Sequence, residues 1–223
     1  AGDQRHPAFH VSHHNHAHSP SLITHFAVPL AILSTSCVID SIMSYENVEK
    51  AMSDLTGKVA LITGAGQGVG QGIALALAAA GASVALAGRT LEKVESSAAL
   101  VRERGGTAIA LACDVKAAAD LAAIVTATVA QLGGLDVLVN NAQEVPLGTL
   151  DEVSDEAFVA GFESGPLASL RLMKLARPDM AARGGGTMFN LASSAGIRWD
   201  MTGYGAYGAI KQATRVLTRA AAA

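Results

Sequence analysis

A chain of 223 residues with 16 Lys and Arg against 19 Asp and Glu has no basic surplus with which to hold a nucleic-acid backbone. Its two cysteines, Cys37 and Cys113, offer neither metal-ligand spacing nor the numbers for a disulfide framework, so a reducing cytoplasm is the expected setting. The apolar stretch from Phe26 to Ile39 carries Pro29 and is too short to span a bilayer, so no membrane partner is expected.

Taken from the N-terminus, the composition changes abruptly near residue 52. All seven histidines precede that point, at His6, His10, His13, His14, His16, His18 and His25. The run reads as a low-complexity tail whose histidines never meet in a fixed geometry, and no metal is assigned to it. Residues 1–53 are therefore expected to be a His-rich N-terminal extension, disordered or non-native, and residues 54–223 the folded unit, long enough for one sizeable core. Because the tail has no periodic pattern that could pack on a sheet, removing residues 1–51 is expected to leave stability and ligand binding unchanged.

The folded unit opens on KVALITGAGQGVG, residues 58 to 70, where the β-branched apolar run from Val59 to Thr63 feeds four glycines and an alanine-rich helix. Such a strand, tight turn and helix start form an anion site: Gly64 permits the turn, Gly68 lets a pyrophosphate approach the backbone, and Gly70 lets the helix pack close on the strand. A helix is expected from Gly70 to Ala80 and a second strand from Ser83 to Ala87. Next come a helix from Leu91 to Arg104, a strand from Ala108 to Ala112 and a helix from Lys116 to Leu132. Further strands are expected from Leu135 to Val139 and from Thr187 to Leu191. Apolar strands alternating with helices argue an α/β fold, a doubly wound, Rossmann-like parallel sheet of about five strands with a cofactor across their carboxyl ends.

The spacing Thr63-Gly64, Gly68, Gly70 resembles the TGxxxGxG turn of the short-chain dehydrogenase/reductase family, and the resemblance extends over residues 54–223. It implies that Gly64, Gln67, Gly68, Val69 and Gly70 touch a nicotinamide dinucleotide. By the same resemblance Asp114 and Val115 hold its adenine, with helix capping as the alternative role for Asp114. Asn141 and Ala142 line its path. At the end of the second strand, where an NAD-selective site places a carboxylate, this chain has Gly88 followed by Arg89, a guanidinium suited to a phosphate; NADP(H) is expected over NAD.

After the last strand come Ala192-Ser193-Ser194-Ala195-Gly196 and then Tyr207-Gly208-Ala209-Ile210-Lys211. Tyr207 and Lys211 lie four apart and share a helix face, so the lysine charge can favour the tyrosine anion. The resemblance assigns Tyr207 as proton donor to a substrate carbonyl and Lys211 as its partner, both also cofactor contacts, and Ser193, with Ser194 as the alternative, as the group that polarises the carbonyl. The implied activity is an NADP(H)-dependent oxidoreductase that interconverts a carbonyl and an alcohol on a small molecule, working as a homo-oligomer in its complete form. The alternative is a non-catalytic nucleotide-binding remnant of the same fold.

Three features depart from the family pattern. Gln143 replaces the glycine of NNAG, where its side chain would crowd the nicotinamide ribose or reach toward substrate. The stretch Gly161-Phe162-Glu163-Ser164-Gly165-Pro166 lacks the asparagine that holds a relay water, a role for which Ser164 and Glu163 are the local candidates. The sequence also stops at Ala223, before the sixth and seventh strands and the substrate-covering segment that the family implies. Weak carbonyl reduction at best is accordingly expected of residues 52–223 alone, with Arg198, Trp199 and Met201 left beside the pocket.

Overall fold

The computed structural model describes residues 54–198 and 202–222. The histidine run, Trp199 and Met201 lie outside the described residues. Five parallel strands, β1 (Val59–Thr63), β2 (Ser83–Gly88), β3 (Ala108–Ala112), β4 (Val137–Asn140) and β5 (Thr187–Asn190), form one sheet in the order β3-β2-β1-β4-β5. They are joined through helices α1 (Gly68–Ala79), α2 (Leu91–Glu103), α3 (Ala118–Leu132), α4 (Asp155–Phe162) and α5 (Ala168–Ala182), and α6 (Gly205–Ala221) follows β5. The chain order reverses between β1 and β4, and a crevice at the carboxyl ends of the strands opens at such a switch point.

The strands alternate in the direction they face, and both faces are covered. Ile62, Val84, Leu86 and Val139 pack with Val94 and Val101 of α2 and Ala74 of α1. Leu61, Ala85 and Leu138 pack on the other side with Leu121 and Ile124 of α3 and Leu172 and Ala176 of α5. Burial on two faces is why β1, β2 and β4 read as apolar runs in the sequence.

Several boundaries differ from the sequence expectation, each for a local reason. The third helix begins at Ala118, not Lys116, because Asp114 Oδ1 accepts the Lys116 N–H (3.0 Å) and holds those residues in a turn. Asp114 is thus a turn former, and the helix cap position is Ala117. The fourth strand starts at Val137, two residues late: Leu135 N donates to Asp179 Oδ2 (2.7 Å) and Asp136 spends its carboxylate on other segments. The first helix begins earlier than expected, at Gly68.

Asp136 is a tie between three segments. Its buried carboxylate accepts from Val59 N at 2.9 Å and from Arg183 Nη2 at 3.0 Å, with Lys58 Nζ at 3.4 Å. Burial pushes its pKa up. The hydrogen bonds from Arg183 and Val59 and the charges of Arg183 and Lys58 outweigh that and hold it below the usual carboxylate range.

Candidate active site

A groove of about 390 Å³ lies at the carboxyl ends of β1, β2, β3 and β4. Its floor is the glycine turn. Gly64 has a φ of +65°, and a Cβ there would sit 2.8 Å from Asn141 Nδ2 and 2.9 Å from the Ala142 backbone. At Gly70 a Cβ would run into the Gly64 carbonyl oxygen and lie 2.6 Å from Asn141 Nδ2. Gly68 differs: its φ is +59° and the Cβ direction is open. Two glycines thus permit close packing and the third leaves backbone bare toward the groove. The first turn of α1 contains no acidic residue, so its free N–H groups and dipole present positive potential there.

The β1–β4 seam fixes the opposite wall. Thr63 Oγ1 accepts from Asn141 N and Ala142 N (3.1 Å each) and donates to Val139 O, while Asn141 Nδ2 donates to Thr63 O (2.9 Å) and Gly64 O (3.2 Å). Asn141 therefore spans the turn and the seam. Asp114 and Val115 line the groove at the β3 end. The cradle, the open Gly68 and the helix start fit a pyrophosphate, so Gly64, Gln67, Gly68, Gly70, Asp114, Val115, Asn141 and Ala142 would hold a dinucleotide. Val69 is exposed beside them.

Arg89 sits on the rim of this groove, paired with Glu144. The guanidinium lies 2.9 Å from Glu144 Oε1, and Lys116 Nζ lies 3.0 Å from the same oxygen. The hydrogen bond that Lys116 donates to Glu144 is the main cause that holds the Lys116 pKa above its ordinary value. Lys93, one helical turn beyond Arg89, also lines the groove and donates to Gln67 Oε1 (3.3 Å). The sequence reading passed over Glu144, Lys116 and Lys93. Only Lys93 left a signal, its four-residue spacing from Arg89; Glu144 meets its cations through the sheet order alone. Thr90 occupies the cap position of α2 without a side-chain cap bond.

Ser193, Tyr207 and Lys211 lie at the β5 side. Ser193 follows β5, and its Oγ accepts from Ala195 N (3.2 Å) at the start of the short 3-10 turn Ser194–Gly196. That turn lies directly on α6: a Cβ on Gly208 would be 2.6 Å from Ala195 O, and one on Gly196 would be 3.2 Å from Lys211 Cβ. Glycine at both places brings the serine turn against the turn of helix that carries Tyr207 and Lys211. Lys211 is 6% exposed, donates Nζ to Leu191 O and lies 5.7 Å from the Tyr207 ring centroid. Burial pushes its pKa down to about 8. Ser193 is half-buried, whereas Ser194 is exposed.

The two local stand-ins for the missing asparagine stand in different settings. Between α4 and α5 the helix widens into a π turn, Glu163–Leu167, that accommodates Pro166. Ser164 Oγ donates to Ala160 O (2.7 Å) and accepts from Glu144 N (2.9 Å), and Glu163 is exposed. Gln143, by contrast, turns its carboxamide inward onto Gly165.

Among the described residues no group of His, Cys, Asp and Glu is arranged to hold a metal ion, and no helix is long and apolar enough to cross a membrane. Comparison with known proteins bears on the fold and on the family. The family model described as short chain dehydrogenase matches residues 58–223. An uncharacterized oxidoreductase of Thermotoga maritima is 39% identical over 63% of this chain and 55% of its own length. A ketoacyl reductase of Nostoc is 38% identical over 65% and 50%. A 2,5-dichloro-2,5-cyclohexadiene-1,4-diol dehydrogenase of Sphingobium indicum is 38% identical over 77% and 68%. The chain spans about half the length of the first two relatives. A crystal structure titled as a short-chain alcohol dehydrogenase of Sinorhizobium meliloti, 36% identical, superposes with a TM-score of 0.72 over 76% of this chain and 67% of that one. With the five-stranded parallel sheet and the glycine turn at its switch point, these matches establish that the chain belongs to the short-chain dehydrogenase family.

Proposed function

We propose that this chain binds NADP(H) and interconverts a carbonyl and an alcohol on a small molecule, with Tyr207, Lys211 and Ser193 as the catalytic set. The observation that carries the reading is a buried lysine beside a tyrosine ring at the carboxyl end of the sheet, on the same side as a phosphate-shaped cradle. Relatives named for sorbitol and for galactitol support an alcohol as the substrate class. A reducing cytoplasm suits the buried free thiol of Cys113.

The bound dinucleotide supplies or accepts the hydride. Tyr207 hands its phenolic proton to the carbonyl oxygen in reduction and takes it back in oxidation. Lys211, a cation at neutral pH, stabilises the phenolate that remains, and its low-dielectric surroundings strengthen that effect. Ser193 donates a hydrogen bond to the same carbonyl oxygen where negative charge develops. Arg89, with Lys93 one turn on, meets the 2′-phosphate and makes the choice between the two nucleotides.

Titration calorimetry with NADPH and NADH tests the cofactor side, and reduction of a simple ketone tests the chemistry. NADPH should bind about tenfold more tightly, Arg89→Ala should remove most of that difference, and Tyr207→Phe should abolish turnover without weakening NADPH binding. Equal affinity for the two nucleotides in the unmodified protein refutes the NADP(H) assignment.

A further inference from the structure

Two departures noted in the sequence meet in space. Gln143 follows β4 where the family pattern has glycine, and Gly165 lies in the π turn, in the stretch that has no asparagine. A Cβ on Gly165 would be 2.9 Å from Gln143 Cδ, 3.1 Å from its Nε2 and 3.2 Å from its Oε1. The Gln143 carboxamide therefore occupies the space that any side chain at 165 would need. The two positions are a matched pair.

Gln143 Nε2 is buried and has no acceptor among the described residues. A buried donor without an acceptor is destabilising, and a thioether would fill the same volume without that cost. Filling space does not account for a carboxamide here, so its donor points to an acceptor that is not part of the protein. The sheet order indicates which end of the ligand that is. Gln143 lies after β4, next to β5, on the side of Ser193, Tyr207 and Lys211, whereas Arg89 and Asp114 lie after β2 and β3. Gly161, one turn before Gly165, abuts Ile210 Cδ1, and Ile210 adjoins Lys211.

We propose that Gln143 is a positioning residue for the reaction: its Nε2–H donates to an oxygen on the nicotinamide-riboside half of the bound dinucleotide, and Gly165 is the clearance that lets it reach there. The proposal rests on the dinucleotide reading above. In the full chain, Gln143→Met keeps the volume and removes the donor. Calorimetry with NADPH and with 2′,5′-ADP, which lacks the nicotinamide half, separates the two ends of the groove. Urea unfolding without nucleotide measures the fold.

For Gln143→Met, NADPH binding should weaken about tenfold, 2′,5′-ADP binding should not change, and stability without nucleotide should hold or rise. The carboxamide can also be moved. Gly165→Asn alone should collide with Gln143 and weaken NADPH binding, and Gln143→Gly combined with Gly165→Asn should bring affinity back to within about twofold of the unmodified chain. Unchanged NADPH affinity in Gln143→Met overturns the proposal, as does an equal loss for both ligands, which marks general damage. Failure of the exchanged pair to recover binding overturns the role given to Gly165. If the unmodified chain binds neither ligand, the dinucleotide reading falls and this proposal with it; if it binds both and Gln143→Met changes neither, only this proposal falls.

Discussion

Lys211 costs the fold free energy in return for its place beside Tyr207, and the cost can be read out by pH. Burial moves its pKa from the ordinary 10.5 to about 8, which corresponds to about 3 kcal/mol of native-state destabilisation while the ammonium is charged. Replacing it by methionine removes that penalty and keeps the apolar stem. It also removes the hydrogen bond to Leu191 O, a loss of about 1 kcal/mol. Lys211→Met should therefore be more stable than the unmodified protein by about 2 kcal/mol at pH 7. The sign with pH follows from the direction of the shift. Between about 8 and 10.5 the unfolded chain holds the lysine proton and the folded chain does not, so the stability of the unmodified protein rises with pH relative to the variant. The advantage of Lys211→Met is full below pH 8, shrinks through that window and reverses above it. Urea unfolding of both proteins at pH 7, 9 and 10.5 measures the difference directly, because other titrating groups cancel between them. A variant that is less stable at pH 7, or a difference that does not change with pH, refutes the reasoning.

Two further substitutions probe the frame of the site. Gly70→Ala puts a methyl into the Gly64 carbonyl and Asn141 Nδ2; it should cost about 1–3 kcal/mol in thermal unfolding and reduce NADPH affinity in the same protein, since the cradle and the seam share those atoms. Asp136→Asn should lower stability by about 1–3 kcal/mol at pH 7, the pair with Arg183 being partly open to solvent. Because the Asp136 pKa is held down in the folded state, its contribution is present above the ordinary carboxylate range and fades as pH falls through the lowered value. The two proteins should converge in stability in acid, which denaturant titration at pH 7 and pH 3 would record.

The centre of the sheet was legible because β1, β2 and β4 are buried on both faces and so read as apolar runs between turn residues. The glycine turn was legible because backbone geometry admits few residues at Gly64 and Gly70. What the sequence hid was side-chain traffic between distant segments. Asp114 reads as an adenine contact or a helix cap and also serves a turn, since the donor nearest in sequence is the Lys116 N–H. Arg89 reads as a cation awaiting phosphate, and nothing local announces that the sheet order brings Glu144 within 2.9 Å of it. The π turn was hidden too: Pro166 marks an interruption, and only the packing of Gly161 on Ile210 and of Gly165 on Gln143 shows the widened turn holding its place. At the β5 side, the four-residue spacing of Tyr207 and Lys211 was evident, whereas Gly196 and Gly208, which let the serine turn rest on α6, carry no motif of their own.

The β1–β4 seam also orders events in time. β1 pairs with β2 through a helical crossover of some two dozen residues, but Thr63 reaches its partners at Asn141 only after the chain has closed a separation of 78 residues. Loop-closure entropy makes the longer contact about 1 kcal/mol less favourable before packing compensates it. The glycine cradle belongs to the early segment and its opposite wall to the late one. Nucleotide added to refolding protein should leave the early rate unchanged and slow only the unfolding arm, so that the ligand selects molecules whose two halves have already met.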